Sequence, residues 1–242
     1  MLQRLFIFLL IFLILPDIYL YLRFIVHLTA KRWLRILYWL PAFLLSTGLL
    51  YLVYFSNNAF AERHIQAIGW FSIFFFLFTA PKLLLSLCTI IGVPFHKWLR
   101  WPRTPFICTG LTLAVISIVM IIYGSFIGRT QFDVKEVTYS SPKLPSAFDG
   151  YRIVQLSDIH IGSWQGNASA IQKLVKLVNE QQADLIVFTG DLVNHRAVEL
   201  NDFQDILSGL KAKDGVYSIL GNHDYGPYFR WKSKDEQDDN LN

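Results

Sequence analysis

Apolar positions run almost unbroken through the first half of the chain and then become periodic. Four apolar stretches, at about 2–22, 34–55, 67–93 and 105–128, are separated by short polar loops. Each is long enough for a helix that crosses a hydrocarbon core of about 30 Å, which takes roughly 20 residues. The first is too long for the apolar run of a signal peptide. No small-residue cleavage site follows it, so it reads as a retained helix. A buried soluble core is the other reading of such stretches, but four of them would leave too little polar surface to cover that core.

Beyond Arg129 the pattern changes. Residues 130–150 are polar, contain Pro142 and Pro145, and read as a linker with Lys135–Tyr139 as a candidate strand. Tyr151–Leu156 reads as a short strand. Ile171, Leu174, Val175 and Val178 then recur at helical spacing. Asp184–Phe188 is a second buried strand. Phe203, Ile206, Leu207 and Leu210 mark another helical face, ended by Lys211, Lys213 and Gly215. Val216–Leu220 is a third strand. Strand, helix, strand, helix, strand in this order predicts a parallel sheet with crossover helices. The expected organisation is therefore an all-α membrane region over 1–129, a linker over 130–150 and an α/β region over 151–242.

Charge sharpens the division. Of 242 residues, 53% are apolar and 17% charged. Residues 1–129 hold eleven Lys and Arg against only Asp17 and Glu62, whereas residues 130–242 hold eleven against sixteen Asp and Glu. The polar half has no basic stripe with interleaved aromatics, so there is no nucleic-acid-binding signal. The basic residues of the greasy half instead sort by loop. The first loop carries Arg23, Lys31, Arg32 and Arg35, and the third carries Lys97, Arg100 and Arg103. In the second, Glu62 and Arg63 cancel. Positive loops stay in the cytoplasm. That predicts a multi-pass plasma-membrane protein whose chain after Gly128 is extracytoplasmic. Tyr51, Tyr54, Trp70, Trp98 and Trp101 lie near segment ends, as interfacial anchors do.

Two charges interrupt the apolar segments. Asp17 follows Pro16, Lys82 follows Pro81, and each lies about fifteen residues into a segment that runs in the same direction. An unpaired charge at that depth costs roughly 2.5–3.5 kcal/mol; a pair between the first and third helices is one reading, and charges that snorkel or mark helix ends are the other. Cys88 and Cys108 sit in separate apolar runs and imply neither a disulfide framework nor a thiolate metal site.

The chemistry lies at the strand ends. The first strand leads into Ser157-Asp158-Ile159-His160, the second into Thr189-Gly190-Asp191-Leu192-Val193-Asn194, and the third into Gly221-Asn222-His223-Asp224. In a parallel sheet the carboxyl ends of all strands share one edge, where ligands bind. Three groups of Asp, Asn and His should therefore converge there. Oxygen and imidazole donors without sulfur suit Mn, Fe or Zn. His27, His64 and His96 read as interfacial or loop residues, and His195 lies next to the second motif.

On these residues the chain resembles the calcineurin-like metallophosphoesterase superfamily, in particular its membrane-anchored bacterial members. The family pattern of DxH, GDxxD or GDxxN, and GNHD or GNHE stands here as DIH, GDLVN and GNHD. The resemblance implies the first half of an α/β/β/α sandwich and a phosphoester hydrolase that holds two divalent metal ions. Asp158 and His160 would bind the first ion, Asp191 would bridge, and Asn222 would bind the second. His223 would contact the phosphate and assist the leaving group, with Asp224 orienting it and Asn194 structural. A metal-activated hydroxide would attack phosphorus in line. The implied partners are the lipid bilayer and a phosphoester substrate, of an envelope or lipid-linked kind by location alone. The family's later lone His and GHxH have no counterpart, because no histidine follows His223. A reading frame that ends early is the expectation from this, with one sheet face left without its partner. Completion by a second chain, or a non-catalytic protein with a vestigial half-domain, are the alternatives.

Overall fold

The structure is a computed structural model that describes residues 2–55 and 64–240. The chain divides into two compact units, Met1–Gln131 and Phe132–Asn242. Glu62 and Arg63 of the second loop lie outside the described residues.

The first unit is helical. α1 (Leu2–Leu20) continues through a π-helical turn (Tyr21–Ile25) and a last turn (Val26–Leu28). α2 spans Arg32–Tyr54, α3 Ile65–Leu99 and α4 Thr104–Phe126. All four are long and apolar enough to cross a membrane. Proline interrupts three of them, at Pro16, Pro41, Pro81 and Pro94. Membrane helices tolerate this because neighbouring groups satisfy the freed carbonyls. The third apolar stretch therefore runs on through Pro94, which removes one N–H without ending the helix, and stops where Arg100 takes a left-handed conformation (φ 52°). Leu13, Leu45, Leu49 and Phe75 form a buried cluster drawn from α1, α2 and α3. α3 and α4 pack closely: a Cβ on Gly110 would lie 2.9 Å from Leu85 Cδ1. Small residues permit such approach where lipid removes the hydrophobic drive between helices. Arg35 closes the first turn by donating from Nε to the Thr29 carbonyl (2.8 Å) and from Nη2 to that of Val26 (2.7 Å).

Of the two readings of Asp17 and Lys82, the structure shows the pair. Lys82 Nζ lies 2.7 Å from Asp17 Oδ1, and Asp17 is fully buried. The Tyr38 hydroxyl also reaches Asp17 Oδ1 (3.0 Å). One residue from each of α1, α2 and α3 thus meets in the apolar interior.

The second unit is a three-stranded parallel sheet in the order β1 (Ile153–Leu156), β2 (Leu185–Phe188), β3 (Val216–Ser218). Ile153 pairs with Leu185, and Ile186 with Val216. α5 (Ala168–Glu180) connects the first two strands and buries Ala170, Ile171, Val175 and Val178. Val154, Leu156, Ile186 and Phe188 point into this covered side with Val178, Leu174 and Leu210. The side chains of the opposite face remain open: Ile153 is 59% exposed, Tyr217 63% and Ile219 64%. The periodic run 203–210 yields only a short helix, α6 (Gln204–Leu207), because tight three-residue turns at Gly209 and Leu210 end it. Its apolar face is nonetheless used: Phe203 packs with Ile161, Ile171 and Val193. Lys135–Tyr139 pairs with no strand among the described residues, and Val137 and Tyr139 lie exposed. Tyr151 donates to Asp214 (2.7 Å), a bond that pushes the phenol pKa up to about 12. A short helix, α7 (Lys234–Asp239), follows the last strand.

Candidate metal centre

The strands end on one edge, and their loops continue to pair after the sheet stops. The N–H groups of Asp158, His160 and Ile161 donate to the carbonyls of Gly190, Asp191 and Leu192. The first and second motifs are therefore held side by side. The third is held against the second by glycine: a Cβ on Gly190 would lie 2.5 Å from the Gly221 backbone. Asp158, His160 and Asp191 all take positive φ (53°, 48° and 55°), a left-handed conformation unusual for residues with a side chain. Such backbone persists only where the surroundings over-determine it.

Three side chains converge as a result. One ligand atom each from His160, Asp191 and His223 lie within 4.8 Å of one another. The rings of His160 and His223 stand edge to face, 4.6 Å apart. The His223 backbone N–H donates to Asp191 Oδ1 (2.8 Å). His223 Nδ1 lies 2.8 Å from the Asn194 carbonyl oxygen. A carbonyl only accepts, so Nδ1 is the donor of this bond. His160 and Asp191 offer an imidazole and a carboxylate that suit a divalent metal ion, and His223 stands beside them with one ring nitrogen committed to an outer hydrogen bond.

The other motif residues stand differently. Asp158 is exposed, accepts from the Ser157 hydroxyl and lies outside this three-residue group. Asn222 is exposed and donates from Nδ2 to the Tyr228 hydroxyl (3.2 Å). Asp224 is buried, and among the described residues no hydrogen bond is seen from it to the His223 ring. Its carboxylate accepts from the backbone N–H groups of Asp191 (2.7 Å), Gly221 (2.8 Å) and Val193 (3.0 Å). The group that orients His223 is the backbone of Asn194, whose side chain meanwhile donates to Ser163.

Residue-type motifs miss two contributors. Glu199 is buried and accepts from the backbone N–H groups of Asn194, His195 and Arg196. No pattern around it announces a buried carboxylate. Tyr228 packs its ring 4.5 Å from that of His223. Its closeness to the third motif in sequence is the one signal that marks it. His195 lies beside the site, its ring 6.1 Å from that of His223.

A helical membrane region joined to a parallel α/β unit, with metal-type donors at the strand ends, defines a class of membrane-anchored, metal-site proteins. The chain belongs to the calcineurin-like phosphoesterases that carry a transmembrane domain. Residues 3–129 match the family described as "Probable Calcineurin-like phosphoesterase, transmembrane domain", and residues 151–242 match the calcineurin-like phosphoesterase domain. The chain is 36% identical to the "Transmembrane protein with metallophosphoesterase domain" of Danio rerio, over 46% of this chain and 25% of that protein. It is 34% identical to the uncharacterised metallophosphoesterase YkuE of Bacillus subtilis, over 44% and 37%. It is 30% identical to the UDP-2,3-diacylglucosamine pyrophosphatase LpxG of Chlamydia muridarum, over 51% and 39%. The matched stretch thus spans between a quarter and two fifths of these relatives. No solved structure matches the chain.

Proposed function

We propose that this chain carries part of the active site of a membrane-anchored, metal-dependent phosphoester hydrolase. The convergence of His160, Asp191 and His223 within 4.8 Å at the carboxyl edge of a parallel sheet carries the reading. Asp158 and His160 would hold one divalent ion, Asp191 would bridge to a second, and Asn222 would serve that second place. Ions so held supply Lewis-acid polarisation of a phosphoryl group and lower the pKa of attacking water. His223 would face the phosphate. With Nδ1–H on the Asn194 carbonyl, its imidazolium form would donate from Nε2 to the departing oxygen. Asp224 would hold the loop backbone in register for both.

The substrate class we favour is a lipid-linked phosphoester. The four apolar helices support it, as does the likeness to LpxG, whose name assigns it a diacylated UDP-sugar. The loop charges support an extracytoplasmic site, and the likeness to bacterial relatives supports a bacterial inner membrane. The second reading, a non-catalytic domain, draws on the second ion's place, which among the described residues has Asp191 and Asn222. Manganese-dependent hydrolysis of an aryl phosphate by the purified chain separates the two. Hydrolysis that falls by at least about a hundredfold in Asp191→Asn is the expected result. A folded protein with no metal-dependent turnover would leave the second reading standing.

A further inference from the structure

An asparagine that serves a cation must present Oδ1. Its amide group has a donor end and an acceptor end of nearly the same size; a cation itself selects Oδ1, and an acceptor placed at Nδ2 holds the amide in that setting. In this chain Asn222 Nδ2 donates to the Tyr228 hydroxyl (3.2 Å), which leaves Oδ1 as the end available to a cation. The same tyrosine ring packs 4.5 Å from the His223 ring at an interplanar angle of 35°. One side chain therefore touches two consecutive residues of the third strand-end motif.

Tyr228 is not on a loose tail. The turn before it is closed by Gly226 N–H donating to the His223 carbonyl (2.9 Å). Trp231 Nε1 donates back to the Gly226 carbonyl (2.7 Å), and Gln237 Nε2 donates to the Tyr225 carbonyl (2.7 Å). Gly226 has φ +65°, and a Cβ there would lie 2.8 Å from the Trp231 ring and 3.2 Å from the His195 carbonyl oxygen. Only glycine satisfies both the backbone and the space. The segment 225–231 is thus built against the second and third motifs, and it delivers Tyr228 to the site.

We propose that Tyr228 is a positioning residue. It accepts from Asn222 Nδ2, which holds the amide in the setting an ion at Oδ1 requires, and packs the flank of His223. This rests on the metal reading of the strand-end site. Outer partners of this kind are worth about 10–100-fold in metal affinity.

The test is a manganese titration of the purified full chain, followed by calorimetry and by the electron-spin signal of free Mn(II). Tyr228→Phe keeps the ring and removes the hydroxyl. It should weaken the weaker of two ions by about tenfold or more while leaving the tighter one unchanged. In an Asn222→Ala background the same change should cost nothing further, because the tyrosine acts through the amide. Wild-type affinity in Tyr228→Phe, or an equal loss in the Asn222→Ala background, overturns the inference. Fewer than two ions in the wild type would instead defeat the two-ion reading. The side-chain amide signal of Asn222, assigned by its loss in Asn222→Ala, then decides the tyrosine's role alone. A shift between wild type and Tyr228→Phe sustains the contact, and coincident spectra overturn it.

Discussion

Asp224 and Glu199 each place a buried carboxylate under three backbone N–H groups of the strand-end loops. Between them they hold backbone from Asp191 to Arg196, together with Gly221. A hydrogen bond to a charged acceptor contributes about 1.5–3 kcal/mol, and a buried donor left unsatisfied costs about 1–3 kcal/mol. Asp224→Ala strands three donors at once. Thermal unfolding of the purified protein should show a loss of about 3 kcal/mol or more, with manganese uptake lost even where the chain stays folded. The identity of Asp224 is legible in the sequence because it completes a motif. Its contacts are not, since they run to backbone, and backbone donors have no residue type. The same limit hides the Asn194 carbonyl behind His223. Glu199 has neither a motif nor an apolar neighbour pattern to betray it.

At the scale of elements, length and apolarity suffice to find the membrane helices, because an unbroken apolar run of that length satisfies its own backbone in lipid as a helix. Their ends are less legible: proline in lipid is a tolerated interruption, and α3 passes through two of them. The helical periodicity over 203–210 likewise marks which side chains go inward without fixing how much of the segment is helix. Equal depth along parallel segments was enough to bring Asp17 to Lys82. Tyr38, on the intervening helix, shares the carboxylate without any charge to signal it. Removing one partner of a buried pair costs about 3–5 kcal/mol. Asp17→Lys should lower the melting temperature in detergent sharply, and adding Lys82→Asp should restore part of it. Equal melting of the single and double variants would show that the pair does not tie the helices.

For the whole molecule, orientation is the property that loop charge addresses and the α/β unit does not. A cysteine at exposed Lys143, in a chain with Cys88 and Cys108 replaced by alanine, should react with a membrane-impermeant maleimide in intact cells. A cysteine at Trp101 should react only after permeabilisation. The reverse pattern would put the strand-end site in the cytoplasm. The parallel order of the strands was legible because each buried run is short and each is separated by a helical period.

The open sheet face, with Ile153, Tyr217 and Ile219 exposed, governs how the protein behaves in the test tube. Contiguous apolar surface of this kind invites association. Any surfactant that disperses the helices will also wet this face. The bound surfactant mass per molecule should exceed what the four apolar helices alone require, and a hydrophobic dye should brighten on the excised 132–242 unit. Lysine at Tyr217 and Ile219 should dim that signal, making the face a handle for solubility.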